Sequence, residues 1–170
     1  MAILSRVPLR ARQAMIIAAP ISHAWVAPLL GVAATLSATV VLQRRFDPEA
    51  ALAAIAKHTV TALVVEPAML EQLVDLPARA RRRHNITSLE VVLTSAPLPG
   101  DLARQFMGEY GDVVYTVDGA AEAAFSTIAT PADLRSAPPT RPDAPRTMLG
   151  DERRDQAQAS PHHPRARRRR

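Results

Sequence analysis

Cysteine is absent from this chain of 170 residues, and glycine and aromatic residues are scarce. Without cysteine there can be no disulfide bond, no thiolate zinc site and no cysteine nucleophile. The six glycines are scattered, so the chain contains neither a dinucleotide glycine fingerprint nor a phosphate-cradling glycine loop. One tryptophan, two tyrosines and three phenylalanines offer little aromatic surface, which disfavours nucleic-acid binding through base stacking.

The net charge of +5 resides entirely in the C-terminal segment. Residues 1–135 carry 12 basic and 12 acidic side chains, whereas residues 136–170 carry nine arginines and four acids. The balanced part is typical of a soluble globular domain. The basic part has six prolines and, with Met148 and Leu149, only two large apolar side chains, so it cannot offset the entropy of ordering. We therefore predict an α/β domain over residues 1–135 and a disordered basic tail over residues 136–170.

Residues 14–43 contain no Asp, Glu, Lys or Arg, and this run allows two interpretations. About 18 apolar residues suffice to cross a bilayer, so the run could be a membrane anchor. A buried strand, a helix over residues 23–36 and a second buried strand would give the same pattern. Pro20, Pro28 and Gly31 interrupt the run and favour the strand, helix and strand.

Apolar runs alternate with amphipathic segments along the domain, which predicts right-handed βαβ units and a parallel sheet. Asp47-Pro48-Glu49 and Glu66-Pro67 are typical helix starts, because proline fits the first turn and acids favour its positive end. Residues 79–84 are basic and are predicted to be a solvated loop. The expected fold is a partial doubly wound parallel sheet with flanking helices. Its strands are predicted at residues 15–19, 38–42, 62–65, 89–93 and 113–117, with a shorter sixth at 125–130.

Ligands of open α/β sheets bind where loops leave the carboxyl ends of strands. Two such loops here carry small, hydroxyl and acidic residues, one around Ser95 and the other ending at Glu122. On the residues alone, Ser95 is interpreted as a turn serine because it lacks the flanking glycines of a nucleophile elbow. Glu122 could hold a cation or cap the following segment, and its spacing favours the cap. His23 is interpreted as a cap or a satisfied core histidine rather than a base.

Several stretches in the same order resemble the adenylate-forming (AMP-binding) enzyme superfamily, in particular its acyl-CoA synthetase branch. The resemblance runs from about residue 5 to residue 138. It rests on Ala-Pro-Ile-Ser-His-Ala-Trp at 19–25, Phe-Asp-Pro-Glu at 46–49, Val-Val-Glu-Pro-Ala-Met-Leu at 64–70, Leu-Thr-Ser-Ala-Pro-Leu at 93–98 and Asp-Gly-Ala-Ala-Glu at 118–122.

The resemblance implies ligation of a carboxylic acid to CoA with consumption of ATP, through an acyl-adenylate. It implies an acyl pocket bordered by His23 and Trp25, and Mg²⁺ held by Glu122. The remnant nucleotide site would consist of Ser95, Ala96, Pro97, Asp118, Gly119, Ala120, Ala121 and Glu122. ATP or AMP, the acid and CoA would be the small-molecule partners, in the cytoplasm.

Departures from the family pattern predict that the chain is catalytically inactive alone. Asp118 stands where the family has a tyrosine that stacks on adenine, and Ala121 replaces its phosphate-binding threonine. The phosphate loop expected before residue 1 and the catalytic lysine expected after residue 138 are also missing. We interpret the chain as a truncated remnant with a frameshift near residue 138.

Two other functions remain open. The arginines at 165–170 could dock on nucleic acid or an anionic membrane through counterion release, although the scarcity of aromatics argues against nucleic acid. Residues 14–42 could anchor the chain in a membrane, against which the prolines argue.

Overall fold

The computed structural model of the protein describes residues 2–43, 45–118 and 127–136, in which strands and helices alternate. The strands are β1 (Ala14–Ile17), β2 (Thr39–Leu42), β3 (Ala62–Val64), β4 (Val91–Ser95), β5 (Val114–Asp118) and β6 (Thr127–Ala129). The helices are α1 (Ala2–Arg6), α2 (Ala27–Thr35), α3 (Pro48–His58), α4 (Pro67–Val74), α5 (Ala78–Arg81), α6 (Gly100–Tyr110) and α7 (Pro131–Ser136).

The strands form one sheet in the order β2-β1-β3-β4-β5-β6. The first five are parallel to their neighbours, and β6 runs antiparallel to β5. The predicted α/β class and parallel sheet are therefore confirmed, with an antiparallel strand at one edge. The position of β1 between β2 and β3 makes the order of strands in space differ from their order along the chain.

Helices cover both faces of the sheet, as expected for a doubly wound fold. One face packs against α3, α4 and α6, which contribute Leu52, Leu70 and Phe106 to its core. The other packs against α1 and α2, which contribute Ile3 and Leu29. The central strands are buried on both sides, which explains their continuous apolar sequences.

The start of α3 shows why the local sequence is predictive. The Asp47 carboxylate accepts a hydrogen bond of 2.7 Å from the backbone N–H of Ala50, and Pro48 occupies the first turn. The cap satisfies an N–H group that would otherwise lack a partner within the helix. At the other end, Lys57 and His58 lie in the last turn, where positive charge is favourable.

Two local predictions were wrong. The helix predicted from residue 23 begins at Ala27, because residues 20–26 form turns in which His23 N–H bonds to Pro20 O and Val26 N–H bonds to His23 O. The predicted basic loop at residues 79–84 overlaps the short helix α5 (Ala78–Arg81). The Arg81 guanidinium donates hydrogen bonds to the carbonyl oxygens of Val74 and Leu76, which tie α5 to the end of α4.

Helix α7 was not predicted, although its start has a recognisable pattern. The Asp133 carboxylate accepts hydrogen bonds from the backbone N–H and the hydroxyl of Thr130, and Asp133 N–H contacts Thr130 Oγ1 in return. Both hydrogen bonds lower the pKa of the Asp133 carboxyl. The bond from the Thr130 N–H has the larger effect and the bond from the Thr130 hydroxyl the smaller one. This reciprocal arrangement resembles a capping box.

Residues 14–43 were predicted to form either a membrane anchor or a strand, a helix and a second strand. This run forms β1, the nine-residue helix α2 and β2. Within residues 2–43, 45–118 and 127–136, no helix is long and apolar enough to cross a membrane. The predicted disordered tail, apart from Ser136, lies outside the described residues, and the boundary at residue 135 remains a prediction.

Candidate functional site

The carboxyl ends of the parallel strands meet at one edge of the sheet, which we call the carboxyl edge. It carries residues 18–23 after β1, Glu66 after β3, Ser95 to Pro97 at the end of β4, and Asp118 at the end of β5. In open α/β sheets this is the edge that binds ligands. The fold thus brings together groups that are far apart in sequence.

The loop after β4 is attached to β5 by the backbone. Ser95 lies opposite Val117 in the parallel register, and Ala96 N–H donates a hydrogen bond of 3.0 Å to Val117 O. The next peptide bond, between Ala96 and Pro97, is cis. This segment, predicted to form part of the remnant nucleotide site, therefore lies directly beside the strand that ends at Asp118.

Ser95 and Asp118 are terminal strand residues, whereas the sequence predicted them to follow the strands. Ser95 is half-buried at the end of β4 and Asp118 is exposed at the end of β5. In the antiparallel register, Asp118 lies opposite Thr127. The predicted site residues Gly119, Ala120, Ala121 and Glu122 lie outside the described residues.

His23 and Trp25, the predicted acyl-pocket residues, follow β1 at the same edge. Trp25 is partly buried and packs against the core that α1 and α2 form with the sheet. His23 Nδ1 contacts Glu66 Oε1. The His23 side chain is 45% exposed, so it is not a core histidine. It does not cap α2 either, because the N-cap residue of that helix is Val26.

Sequence reasoning missed the role of Glu66. Its position before Pro67 predicted a helix start, and α4 does begin at Pro67. The Glu66 side chain makes no capping hydrogen bond to that helix and instead contacts His23. No local pattern signals a contact between residues so far apart in sequence.

Thr94 is a second polar residue that sequence reasoning did not single out. It is fully buried in β4, opposite Thr116 of β5. Its hydroxyl has no hydrogen-bond partner among the described residues. An unpaired buried hydroxyl costs about 1–3 kcal/mol. A threonine directly after the apolar run at 91–93 was the available signal.

A cleft of about 320 Å³ opens where β1 and β2 end. Its walls are mostly apolar, and Gln43 contributes a buried side-chain oxygen without a partner among the described residues. The lining residues are Ile17, Ala18, Ala19, Pro20, Ile21, Leu42, Gln43, Phe46 and Met69. The cleft shares Pro20 and Ile21 with the segment that leads to His23.

The predicted magnesium site depends on Glu122, which lies outside the described residues. Within the part of the chain that the structure describes, no group of three or more His, Cys, Asp or Glu side chains could hold a metal ion. The described residues therefore supply no geometry for Mg²⁺, and we derive no chemical step through it.

Comparison with known protein families identifies the family to which this chain belongs. A family model described as AMP-binding enzyme matches residues 2–151. The chain belongs to the AMP-binding enzyme family. The family resemblance seen in the sequence is therefore confirmed. Comparison with curated protein sequences found no match.

Several solved structures share this fold. The amide bond synthetase McbA from Marinactinospora thermotolerans is 29% identical with a TM-score of 0.69, and the match covers 78% of this chain and 26% of McbA. A Mycobacterium tuberculosis fatty acyl CoA synthetase is 20% identical with a TM-score of 0.69, over 79% and 27% of the two chains. ATP-bound MatB from Rhodopseudomonas palustris is 20% identical with a TM-score of 0.64, over 75% and 25%. The matched part thus spans about a quarter of each of these proteins.

Proposed function

We propose that this chain is a remnant of an ATP-dependent carboxylic acid–CoA ligase that forms acyl-adenylates. In this proposal the carboxyl edge retains weak affinity for an adenine nucleotide and an acyl group. The main support is the hydrogen bond from Ala96 N–H to Val117 O, which holds the loop of Ser95, Ala96 and Pro97 beside Asp118. The proposal includes a cytoplasmic location, because ATP and CoA are consumed there.

The names of the structural neighbours are consistent with this assignment. MatB was solved with ATP bound, and the M. tuberculosis protein is a fatty acyl CoA synthetase. McbA is an amide bond synthetase. If these enzymes share an acyl-adenylate and then transfer its acyl group to different acceptors, one reaction scheme accounts for both the acyl-CoA and the amide products. For this chain, we assign the nucleotide to the β4 and β5 loops and the acyl group to the side of His23 and Trp25.

We further propose that the chain does not form acyl-adenylate by itself. Phosphoryl chemistry depends on charge stabilisation and positioning. The exposed carboxylate of Asp118 places negative charge at the end of β5, in the position where the family tyrosine would stack on adenine. Two unit charges 4 Å apart in water repel each other by about 1 kcal/mol, and a carboxylate offers no ring for stacking. Ala121 likewise has no hydroxyl to donate to a phosphate.

Calorimetry with ATP, AMP and a non-hydrolysable acyl-adenylate analogue tests the binding. We expect weak binding that is strongest for the analogue, because it occupies both subsites, and no exchange of pyrophosphate into ATP. Asp118→Tyr should tighten AMP binding by restoring an aromatic surface. Asp75→Tyr is the matched control, because Asp75 is exposed after the last turn of α4. Absence of binding to all three ligands would refute retained affinity, and ATP-dependent adenylate formation by the wild-type chain would refute inactivity.

A further inference from the structure

Strand β2 forms one edge of the sheet, and within residues 2–43, 45–118 and 127–136 it pairs with β1 alone. Thr39 N–H donates a hydrogen bond of 2.9 Å to Gln13 O, so Thr39 faces β1. Successive residues of a strand direct their backbone groups to opposite sides, so Val41 also faces β1, whereas Val40 and Leu42 face outward. The outer side of β2 therefore offers two N–H donors and two carbonyl acceptors.

The opposite edge of the sheet, β6, is protected by a charged side chain. Ile128 lies opposite Val117, and Val117 O accepts a hydrogen bond from Ala96 N–H on the β4 side. The backbone groups of Ile128 therefore face outward, and the Arg6 guanidinium donates to Ile128 O at 3.4 Å. Arg6 is also ion-paired with Asp133 at 3.7 Å. Charged side chains at an edge oppose pairing with another strand.

Strand β2 has no comparable protection among the described residues. Its sequence, Thr-Val-Val-Leu, favours a strand and contains neither a charged residue nor proline. The helix that leads into it, α2, has no charged side chain either. Three large apolar side chains are exposed in the described part of the chain, and two of them, Ile21 and Leu42, lie together where β1 and β2 end. This edge is thus suited to pairing with an uncharged strand.

We propose that two copies of this chain pair through β2 in antiparallel orientation, around a twofold axis at Val41. In this register Val40 of one copy lies opposite Leu42 of the other, and each such pair exchanges two hydrogen bonds. The two pairs use every outward donor and acceptor of both strands. A shift of the register would leave some of these groups unpaired, so β2 is complementary to itself.

The distribution of charge also favours a second copy as the occupant. Residues 14–43 contain no Asp, Glu, Lys or Arg, so the two strands meet without repulsion. Arg45 follows β2, but the twofold axis places its two copies at opposite ends of the paired segment. The same surface is used on both copies, so the contact closes at a dimer and does not propagate into a fibre. This inference goes beyond the proposed function and does not depend on it.

Light scattering after size exclusion, over a dilution series of the full chain, tests the proposal. We expect a mass twice the 18.4 kDa of one chain, which falls to that of one chain on dilution. High salt should not dissociate the dimer, because no charged side chain lies in β2. A single-chain mass at every concentration, larger open-ended assemblies, or a dimer that dissociates in high salt would each overturn the proposal.

Two variants test whether β2 is the contact. Val40→Pro removes an outward N–H and no hydrogen bond to β1, which is the position in a sheet where proline is tolerated. Leu42→Lys adds a charge to the edge at a side chain that is 55% exposed. Both variants should have the mass of one chain where the wild type is dimeric, with circular dichroism like that of the wild type. Leu4→Lys, on α1, is the matched control and should stay dimeric. Folded variants at Val40 and Leu42 that remain dimeric would assign the contact to another surface.

A cross-link tests the register, because the natural chain has no cysteine. Opposite residues in an antiparallel pair without hydrogen bonds have Cα atoms about 4.5 Å apart, which a disulfide can span. Val41→Cys lies on the proposed twofold axis and should form an intermolecular disulfide on mild oxidation. Leu4→Cys should form much less, although Leu4 is exposed. Equal cross-linking of the two variants would overturn the proposed pairing.

Discussion

The Tyr110 hydroxyl donates a hydrogen bond of 3.0 Å to the carbonyl oxygen of Leu73, joining the end of α6 to the last turn of α4. The Tyr110 ring also stacks on Phe106, with the ring centroids 4.5 Å apart. Burial raises the pKa of Tyr110 to about 12, with a smaller opposing effect from Arg81. One side chain therefore links two helices on the same face of the sheet through both apolar and polar contacts.

Removal of the hydroxyl should destabilise the fold modestly. Tyr110→Phe keeps the stacked ring but leaves Leu73 O without this donor, and a hydrogen bond of this kind contributes about 0.5–1.5 kcal/mol. We expect the free energy of unfolding in urea to fall by about that amount. A variant as stable as the wild type would mean that water replaces the donor without loss.

The raised pKa of Tyr110 predicts instability in alkaline solution. In the unfolded chain the phenol loses its proton near its ordinary pKa of 10.0, whereas in the folded protein it keeps the proton to about pH 12. The free energy of unfolding should therefore decrease as the pH rises from 10 to 12. Urea titrations across this range should show a smaller decrease in Tyr110→Phe. Equal slopes for the two proteins would contradict the assignment.

Phe106 should be the most costly aromatic side chain to truncate. It is fully buried between α6 and the sheet, and Phe→Ala substitutions in cores cost about 3–5 kcal/mol. We expect Phe106→Ala to unfold at markedly lower urea concentration or to fail to fold. Leu42→Ala is the control, because Leu42 is 55% exposed and surface substitutions usually change stability by less than about 0.5 kcal/mol. Similar losses for both variants would contradict the described core.

The contribution of the α3 N-cap to the free energy of unfolding should be measurable separately from that of the core. Asp47→Ala removes the carboxylate that accepts the Ala50 N–H, and loss of such a cap costs about 1 kcal/mol. Asp75→Ala removes an exposed acid at the end of α4 and should have little effect. Thermal or urea unfolding of the two variants provides the comparison. If Asp75→Ala proves as destabilising as Asp47→Ala, net charge rather than capping is responsible.

Much of the fold could be predicted because the signals were local. Apolar runs marked the strands, and Asp47-Pro48 and Glu66-Pro67 marked two helix starts that the structure confirms. The same reasoning placed α2 too early, because a run of apolar residues does not distinguish helix from turns. It missed α7, whose Thr130 and Asp133 cap was overlooked.

The sequence predicted which edge of the sheet holds the candidate site, but not which side chains make contact there. Loops that follow parallel strands lie at the same edge of the sheet in all folds of this kind. Ser95 and Asp118 could therefore be assigned to the same edge from the sequence. The contact of Glu66 with His23 depends on the placement of β1 beside β3. Strand order is a tertiary property, and no spacing within the sequence encodes this pairing directly.

The inner position of β1 has a consequence for synthesis on the ribosome. Its first partner, β2, ends at Leu42, but its second, β3, is complete only at Val64. During the interval in which residues 43–64 are translated, one side of β1 has unpaired backbone groups, a template for association with other chains. Slow codons between these positions would prolong the time for which this edge of the nascent chain stays unpaired and prone to association.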